Sequence, residues 1–139
     1  MPTRMKESHR VRRADRMRVI IADTRYHNAL ICPYCNEAIS GLPHVDHIIA
    51  RRHGGDIKEF DNLITCCASC NGRKCDTDVA QIFGIDVELK VNAQIKNRVL
   101  TENDHQAAID IYKCGKSQVE RIEMILDWVE GGLLPIRLK

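Results

Sequence analysis

The sequence has few aromatic residues and lacks a long apolar run, and each absence narrows the class of protein. Its 139 residues include two Phe, three Tyr and one Trp, so a hydrophobic core must be built from aliphatic side chains. No apolar segment approaches the roughly 20 residues that a membrane-spanning helix needs, so we expect a soluble protein with no membrane partner. The polar, basic start of the chain does not resemble a signal peptide, and we therefore expect a reducing, cytoplasmic location.

Charge is nearly balanced over the whole chain but unevenly distributed along it. The formal net charge is +2, yet residues 1–26 carry eight Lys or Arg against three acids. A helix is predicted from Ser8 to about Tyr26, with an apolar stripe packed on the body and arginines facing outward. Its arginines form either an ordinary solvated face or a surface that binds a polyanion. The candidates for polyanion contacts are Arg12, Arg13 and Arg16.

Seven cysteines are present, and four of them form two C-x₂-C pairs separated by 31 residues. The pairs are Cys32/Cys35 and Cys67/Cys70. Thiolates at this spacing in tight turns point at one ion, so the two pairs can close a tetrahedral zinc site. Cys66 directly precedes the second pair and competes for a place in the site. The C-x₂-C geometry favours Cys67 over Cys66.

Between the two pairs lies the dipeptide Asp46-His47, and Asn71 directly follows the last cysteine of the second pair. Hydrolysis of a phosphodiester needs a water nucleophile, a base and a cation. Neutral His47 suits the base, while Asp46 and Asn71 offer oxygen atoms that suit Mg²⁺ or Mn²⁺. The structural alternatives are an ordinary histidine at 47, a turn or salt-bridge carboxylate at 46, and an amide that caps the knuckle turn at 71.

A hairpin and a helix are predicted around these residues. The run His44 to Ile49 suits a strand, and Leu63 to Cys66 can form the return strand. Ala68 to about Cys75 is predicted as a helix that carries Asn71 and Lys74 one turn apart on the same face.

Three further helices are predicted beyond Asp76. Residues 85–100 fit both a strand and a helix, and we favour a helix because no breaker interrupts the run. Thr101 can cap a helix that ends at Gly115, and the capping box Ser117-Gln-Val-Glu120 opens the last one. The residues of that last helix expected to face inward are Val119, Ile122, Ile125, Leu126 and Val129.

Residues 32–74 resemble the zinc-containing HNH endonucleases, and the family elements occur in the expected order. The resemblance implies an α+β, ββα-metal fold, stapled by a Cys₄ zinc site and flanked by helices at both ends. The family's final His is Asn71 here, an H-N-N variant similar to endonuclease VII-type sites. The elements are Cys32/Cys35, Val45-Asp46-His47-Ile48-Ile49, Gly54-Gly55, Asp61-Asn62-Leu63 and Cys67-x₂-Cys70-Asn71-x₂-Lys74.

The same resemblance implies a metal-dependent DNA endonuclease that leaves 3′-OH and 5′-phosphate ends. It implies His47 as the base, Asp46 and Asn71 on a catalytic Mg²⁺ or Mn²⁺, and structural Zn²⁺ on the four cysteines. Asn62 would hold the loop so that His47 points correctly. Arg51 and Lys74 are candidates for phosphate contacts, with ordinary surface charge as the alternative. The DNA would be double-stranded or branched, in a prokaryotic or phage-infected cell.

The expected organisation is one domain with three parts: a basic N-terminal helix over 1–28, a zinc-stapled catalytic core over 29–76, and a mainly helical extension over 77–139. One such site cuts one strand, so double-strand cleavage calls for two protomers, and a homodimer would suit a palindromic target. Restriction, phage, homing and nonspecific nicking roles stay open. The rival hypothesis is a zinc-ribbon nucleic-acid-binding module without catalysis, which does not explain Asp46-His47 and Asn71 together.

Overall fold

The computed structural model describes residues 13–50, 53–54 and 60–131. Within them a two-stranded antiparallel sheet is combined with α-helices, which confirms the predicted α+β class. A hairpin followed at once by a helix is the order of a ββα-metal core, and further helices flank it on both sides. The elements are α1 (Arg13–His27), β1 (His44–His47), β2 (Leu63–Cys66), α2 (Ala68–Lys74), α3 (Val79–Phe83), α4 (Ile85–Asn97), α5 (Glu102–Lys113) and α6 (Gln118–Gly131), with a 3₁₀ turn at Phe60–Asn62 before β2.

The hairpin β1–β2 separates two apolar clusters because its side chains alternate between two faces. Val45 and Leu63 join a cluster built mainly from α1, α5 and α6. Ile64 and Cys66 join a second cluster that contains Cys32, Cys70 and the ring of Tyr34. The register pairs His44 with Cys66 and Asp46 with Ile64, so these two polar side chains share the face of the second cluster.

Helix α1 is more deeply buried than its sequence pattern predicts. Met17, Ile20 and Ile21 lie inside as expected, but Val19 and Ala22 are also fully buried, so apolar contacts surround much of the helix. The helix packs against α5, α6 and β2. The predicted apolar stripe is confirmed at Met17, Ile20 and Ile21, but the buried surface of α1 is broader than the sequence pattern indicates.

The helices after the core follow most of the sequence signals. Residues 85–97 form α4, which decides the ambiguous segment in favour of a helix. Thr101 caps α5 through a capping box with Asp104. The nitrogen of Glu120 donates to Ser117 Oγ at 3.2 Å at the start of α6, as the second capping box predicts.

The inward face predicted for α6 is partly wrong. Ile122 and Ile125 are buried as expected, but Val119 is 56% exposed and Leu126 is 37% exposed. Met124 is buried in their place and packs in the first cluster. Among the described helices, none is both long and apolar enough to cross a membrane.

Candidate metal centre and active site

Four cysteine sulfurs converge between the first knuckle and the start of α2. The Sγ atoms of Cys32, Cys35, Cys67 and Cys70 all lie within 4.8 Å of one another. Cys35 Sγ and Cys67 Sγ are 4.0 Å apart. A tetrahedral zinc site with Zn–S bonds of about 2.3 Å has sulfur–sulfur edges of about 3.8 Å. The predicted set of four ligands is therefore brought together at a spacing that fits a structural zinc ion.

Backbone hydrogen bonds shape the first knuckle around its two cysteines. The nitrogen of Cys32 donates to Glu37 O at 2.9 Å, and the nitrogen of Asn36 donates back to Cys32 O at 2.7 Å. Asn36 adopts a φ of 62°, a left-handed conformation that asparagine tolerates better than most residues. This turn directs the Cys32 and Cys35 side chains to one point.

The second knuckle is formed by the start of α2. Cys67 is the N-cap of this helix, and its sulfur accepts a hydrogen bond from the nitrogen of Cys70 at 3.4 Å. Burial opposes ionisation of Cys67, but the Cys70 N–H and the neighbouring thiols lower its pKa below the usual value. The start of α2 thus holds the Cys67 sulfur within the group of four.

Cys66 is not part of the group of sulfurs. It is fully buried on the inner face of β2, and burial raises the pKa of its thiol well above the usual range. The next residue, Cys67, lies just beyond β2 as the N-cap of α2, and its sulfur belongs to the group of four. The predicted choice of Cys67 over Cys66 agrees with this geometry.

Asp46 is the residue before the last in β1, close to the start of the loop that leads to β2. Its side chain is 7% exposed, and its Oδ2 accepts a hydrogen bond from the hydroxyl of Tyr34 at 2.7 Å. Lys74 Nζ lies 3.2 Å from the same oxygen. Burial raises the pKa of the Asp46 carboxyl above its usual value, while Lys74 and Tyr34 oppose that rise. A buried carboxylate held in this way has one oxygen engaged with the protein.

Lys74 occupies a different position from the one that the sequence indicated. It does share a face of α2 with Asn71, but its side chain is completely buried. Its Nζ donates to the carbonyl oxygen of His47 at 2.9 Å as well as approaching Asp46. A phosphate contact from Lys74 is therefore wrong for this structure, because the ammonium is enclosed and tied to the Asp46-His47 peptide.

Asn71 faces the other end of β1. Its Nδ2 lies 3.0 Å from Nδ1 of His44, with the amide nitrogen as the natural donor. His44 and Asp46 lie two residues apart on one face of β1. Asn71 and Lys74 lie one turn apart on α2. Two contacts therefore join the strand to the helix: His44 with Asn71, and Asp46 with Lys74. Among the described residues, no partner is present for Oδ1 of Asn71 or for Oδ1 of Asp46.

His47 is the last residue of β1, and its side chain is partly exposed. It pairs with Leu63 in the sheet. The following loop is fastened by Asn62, whose Oδ1 accepts from the nitrogen of Ile49 and whose Nδ2 donates to Ile49 O, both at 2.9 Å. The nitrogen of Ile48 also donates to Asn62 O at 2.8 Å. Thus Asn62 lies where it can set the path of the chain directly after His47.

Comparison with known protein families decides what this arrangement resembles. Residues 32–77 match the family model of the HNH endonucleases. The match covers about a third of the chain and includes all four clustered cysteines together with Asp46, His47 and Asn71. No curated protein matched the chain, and no solved structure matched it either. The family model thus matches the part of the chain that holds the four clustered cysteines and the hairpin.

Four arginines were expected to contact DNA, and none of them is a described residue of the segment 32–77. Arg12 and Arg51 fall outside the described residues, and Arg13 is described only as the first residue of α1. Arg16 lies on α1 and is partly buried. Two later basic residues of this helix are paired with acids: Arg18 Nη1 contacts Asp15 Oδ1 at 2.6 Å, and Arg25 contacts Asp104, also at 2.6 Å.

Sequence reasoning missed Tyr34 as a part of the candidate site. It lies inside the first C-x₂-C pair, where the cysteines carry the stronger signal, and its contact with Asp46 spans twelve positions of the chain. One signal was available. Aromatic residues make up only 4% of this sequence, so one placed between two metal ligands calls for a structural reason.

Proposed function

We propose that the chain is a metal-dependent DNA endonuclease that hydrolyses phosphodiester bonds and leaves 3′-OH and 5′-phosphate ends. The observation that carries the proposal is the arrangement of Asp46-His47 beside the zinc cluster, within a segment that matches the HNH endonucleases. Lys74 binds the backbone of this dipeptide from one side, and Asn62 fastens the loop that follows it. These contacts fix the backbone on the carboxyl side of the dipeptide, while Tyr34 and Lys74 hold the Asp46 side chain.

In this proposal His47 is the general base. Its imidazole takes a proton from a water molecule, and the resulting hydroxide attacks phosphorus in line with the leaving 3′ oxygen. Neutral imidazole can accept a proton near neutral pH, whereas the carboxylates and amides of the site cannot do so as effectively. Partial exposure of the His47 side chain leaves it accessible to a substrate and a water molecule.

Asp46 and Asn71 are the proposed protein ligands of a divalent ion. Each side chain keeps one oxygen without a partner among the described residues, and hard oxygen donors suit Mg²⁺ or Mn²⁺. When bound, such an ion supplies positive charge to the phosphate and the leaving oxygen. Asn62 does not take part in the chemistry, and we assign it to holding the loop after His47.

Binding of double-stranded or branched DNA is proposed to use the basic N-terminal part of the chain and the loop after β1. Arg12, Arg13, Arg16 and Arg51 are the residues proposed to contact phosphates. One site hydrolyses one strand, so cleavage of both strands is proposed to use two protomers related by two-fold symmetry. The net charge is only +2, which favours a local basic surface over a uniformly basic protein.

One observation favours the rival function of a zinc module that binds nucleic acid without cutting it. The Asp46 carboxylate is buried and already neutralised by Lys74 at 3.2 Å, as in an ordinary structural ion pair. A buried pair of this kind can serve folding specificity alone. The rival function predicts DNA binding but no strand cleavage under any metal condition.

Nicking of supercoiled plasmid separates the two functions. Zinc-loaded protein with added Mg²⁺ or Mn²⁺ is expected to convert supercoiled plasmid to nicked circles, and His47→Ala is expected to reduce the rate by about 10²–10⁴-fold, the usual contribution of a general base. His105→Ala, an exposed histidine on α5, is the matched control. Zinc content and DNA affinity should stay unchanged in both variants. An inert wild-type protein that still binds DNA would favour the rival module.

A further inference from the structure

Tyr34 connects the zinc cluster to the proposed site of hydrolysis. It stands between Cys32 and Cys35, and its hydroxyl donates to Asp46 Oδ2 at 2.7 Å. The ring is 4% exposed and stacks on Phe83 with ring centroids 4.7 Å apart and planes 3° from parallel. The knuckle therefore fixes the backbone of Tyr34, and the stacked ring fixes the direction of its hydroxyl.

The same carboxylate oxygen is approached from the second zinc-bearing element. Lys74 follows Cys70 by four residues on α2, and its Nζ lies 3.2 Å from Asp46 Oδ2. Both elements that supply zinc ligands thus meet at one oxygen atom. No partner for Oδ1 of Asp46 is present among the residues that the structure describes. The carboxylate is held on one side and left available on the other.

We propose that Tyr34 is a positioning residue that holds Asp46 by Oδ2 so that Oδ1 is presented to the divalent ion. This inference rests on the proposed nuclease function and adds a role for the zinc knuckle in orienting a ligand. Tyr34 is suited to this role because a phenol is a neutral donor and does not repel a cation. The Lys74 ammonium holds the same oxygen but carries a positive charge, so it opposes binding of a nearby cation.

The test removes the Tyr34 hydroxyl and leaves the ring in place. Tyr34→Phe keeps the stack on Phe83, so zinc content and the unfolding temperature of the full-length, zinc-loaded protein should stay close to wild type. Binding of Mn²⁺, measured by electron paramagnetic resonance, should weaken by about 10–100-fold, as expected when the hydrogen bond that orients a metal ligand is removed. The Mn²⁺ concentration for half-maximal plasmid nicking should rise by a similar factor.

Tyr26→Phe is the matched control, because it removes the same hydroxyl from a ring that is 41% exposed on α1. Equal Mn²⁺ affinity in wild type and Tyr34→Phe would overturn the positioning role while leaving the nuclease proposal intact. Loss of zinc from Tyr34→Phe would mean that the hydroxyl serves to build the knuckle, and the proposal would be wrong. A zinc-loaded wild-type protein that binds no Mn²⁺ would overturn the proposed catalytic ion and this inference with it.

Discussion

Asn62 and Ile49 are joined by a pair of hydrogen bonds between one side chain and one backbone residue. The amide of Asn62 accepts from Ile49 N and donates to Ile49 O, each at 2.9 Å. The side chain thus makes the pair of hydrogen bonds that the backbone of a paired strand residue would make. Ile49 lies two residues after His47, just beyond the end of β1. The contact therefore continues the hairpin past the last paired residue and restricts the backbone next to the proposed base.

Asn62→Ala is expected to lower the nicking rate without releasing zinc. The loop after β1 would lose two hydrogen bonds, each worth about 0.5–1.5 kcal/mol to stability, and His47 would sample more orientations. Plasmid nicking and zinc content of the same preparation provide the measurement. Asn92→Ala, an exposed amide on α4, is the control. A nicking rate equal to wild type would show that Asn62 has no part in holding His47.

Zinc is expected at one atom per chain, and its removal should unfold at least residues 30–75. Structural zinc contributes roughly 10–16 kcal/mol of apparent binding free energy, which is comparable to the net stability of a whole domain. Elemental analysis of dialysed protein and circular dichroism before and after a chelator would measure both effects. A content of two atoms, or a chelated protein that keeps its fold, would contradict the prediction.

The neighbouring cysteines at 66 and 67 provide a sharper comparison. Cys67→Ser should release zinc and destabilise the fold, because Cys67 Sγ belongs to the group of four sulfurs. Cys66→Ser should keep zinc, although it places a hydroxyl in an apolar cluster and should cost about 1–3 kcal/mol of stability. If the two variants behave the other way round, the ion is bound in a C-x₃-C register and the ligand set is wrong.

His44 is expected to affect the divalent ion through Asn71. Its ring nitrogen lies 3.0 Å from the Asn71 amide nitrogen, which turns the amide oxygen in the opposite direction. His44→Ala should free the amide to rotate and weaken Mn²⁺ binding by about tenfold, the lower end of the effect of removing such an orienting hydrogen bond. Mn²⁺ titration of zinc-loaded protein is the measurement, with the exposed His53→Ala as control. An unchanged Mn²⁺ affinity in His44→Ala would show that His44 has no part in orienting Asn71.

Much of the core was predictable because its signals are local. Two C-x₂-C pairs specify turns that aim their sulfurs, and the sulfurs of Cys32, Cys35, Cys67 and Cys70 do converge. The strand Leu63–Cys66 was predicted with its observed bounds, since the β-branched Ile64 and Thr65 follow the turn residues Asp61-Asn62. The capping boxes at Thr101 and Ser117 place the starts of two helices through contacts that span only three residues.

The features that could not be predicted depend on contacts between distant segments. Burial of Lys74 follows from its approach to a strand 27 residues earlier in the chain. Burial around α1 follows from packing against α5, which lies far along the chain and cannot be inferred from the spacing of apolar residues in α1 itself. Val119 has the helical spacing of a core residue but lies near the start of α6 and stays exposed there.

The basic N-terminal segment should make DNA affinity depend on salt. Arginines that neutralise phosphates release counterions, and removing one such arginine should reduce the slope of log affinity against log salt by about 0.9. The test replaces Arg12, Arg13 and Arg16 together with Gln. DNA affinity is then measured by fluorescence anisotropy at several salt concentrations. The control replaces three exposed lysines of the C-terminal helices and their connection, Lys90, Lys113 and Lys116. An unchanged slope in the arginine variant would show that these three arginines do not contact the DNA phosphates.

Asp23 and Arg98 form a buried ion pair between α1 and the end of α4. Arg98 Nη1 lies 2.8 Å from Asp23 Oδ1, and both side chains are almost fully buried. Asp23 Oδ2 also accepts from the nitrogen of Thr65 in β2 at 2.7 Å. Arg98 Nη2 donates to the carbonyl oxygen of Phe60 at 2.6 Å, in the turn that contains Asn62. The pair therefore links two helices to the sheet and to the loop of the proposed site.

Arg98→Met should lower the free energy of unfolding by about 3–5 kcal/mol, because the Asp23 carboxylate stays buried without its partner charge. Adding Asp23→Asn should recover part of this loss, since no unpaired charge then remains inside. Urea unfolding of the two single variants and the double variant measures the coupling, and the separate salt bridge Arg18–Asp15, with both side chains partly exposed, is the control pair. Strictly additive losses for Asp23 and Arg98 would show that the two side chains stabilise the fold independently. If the two losses of stability are coupled and the variants also nick plasmid more slowly, the ion pair at the end of α4 influences the position of His47 through Phe60 and Asn62.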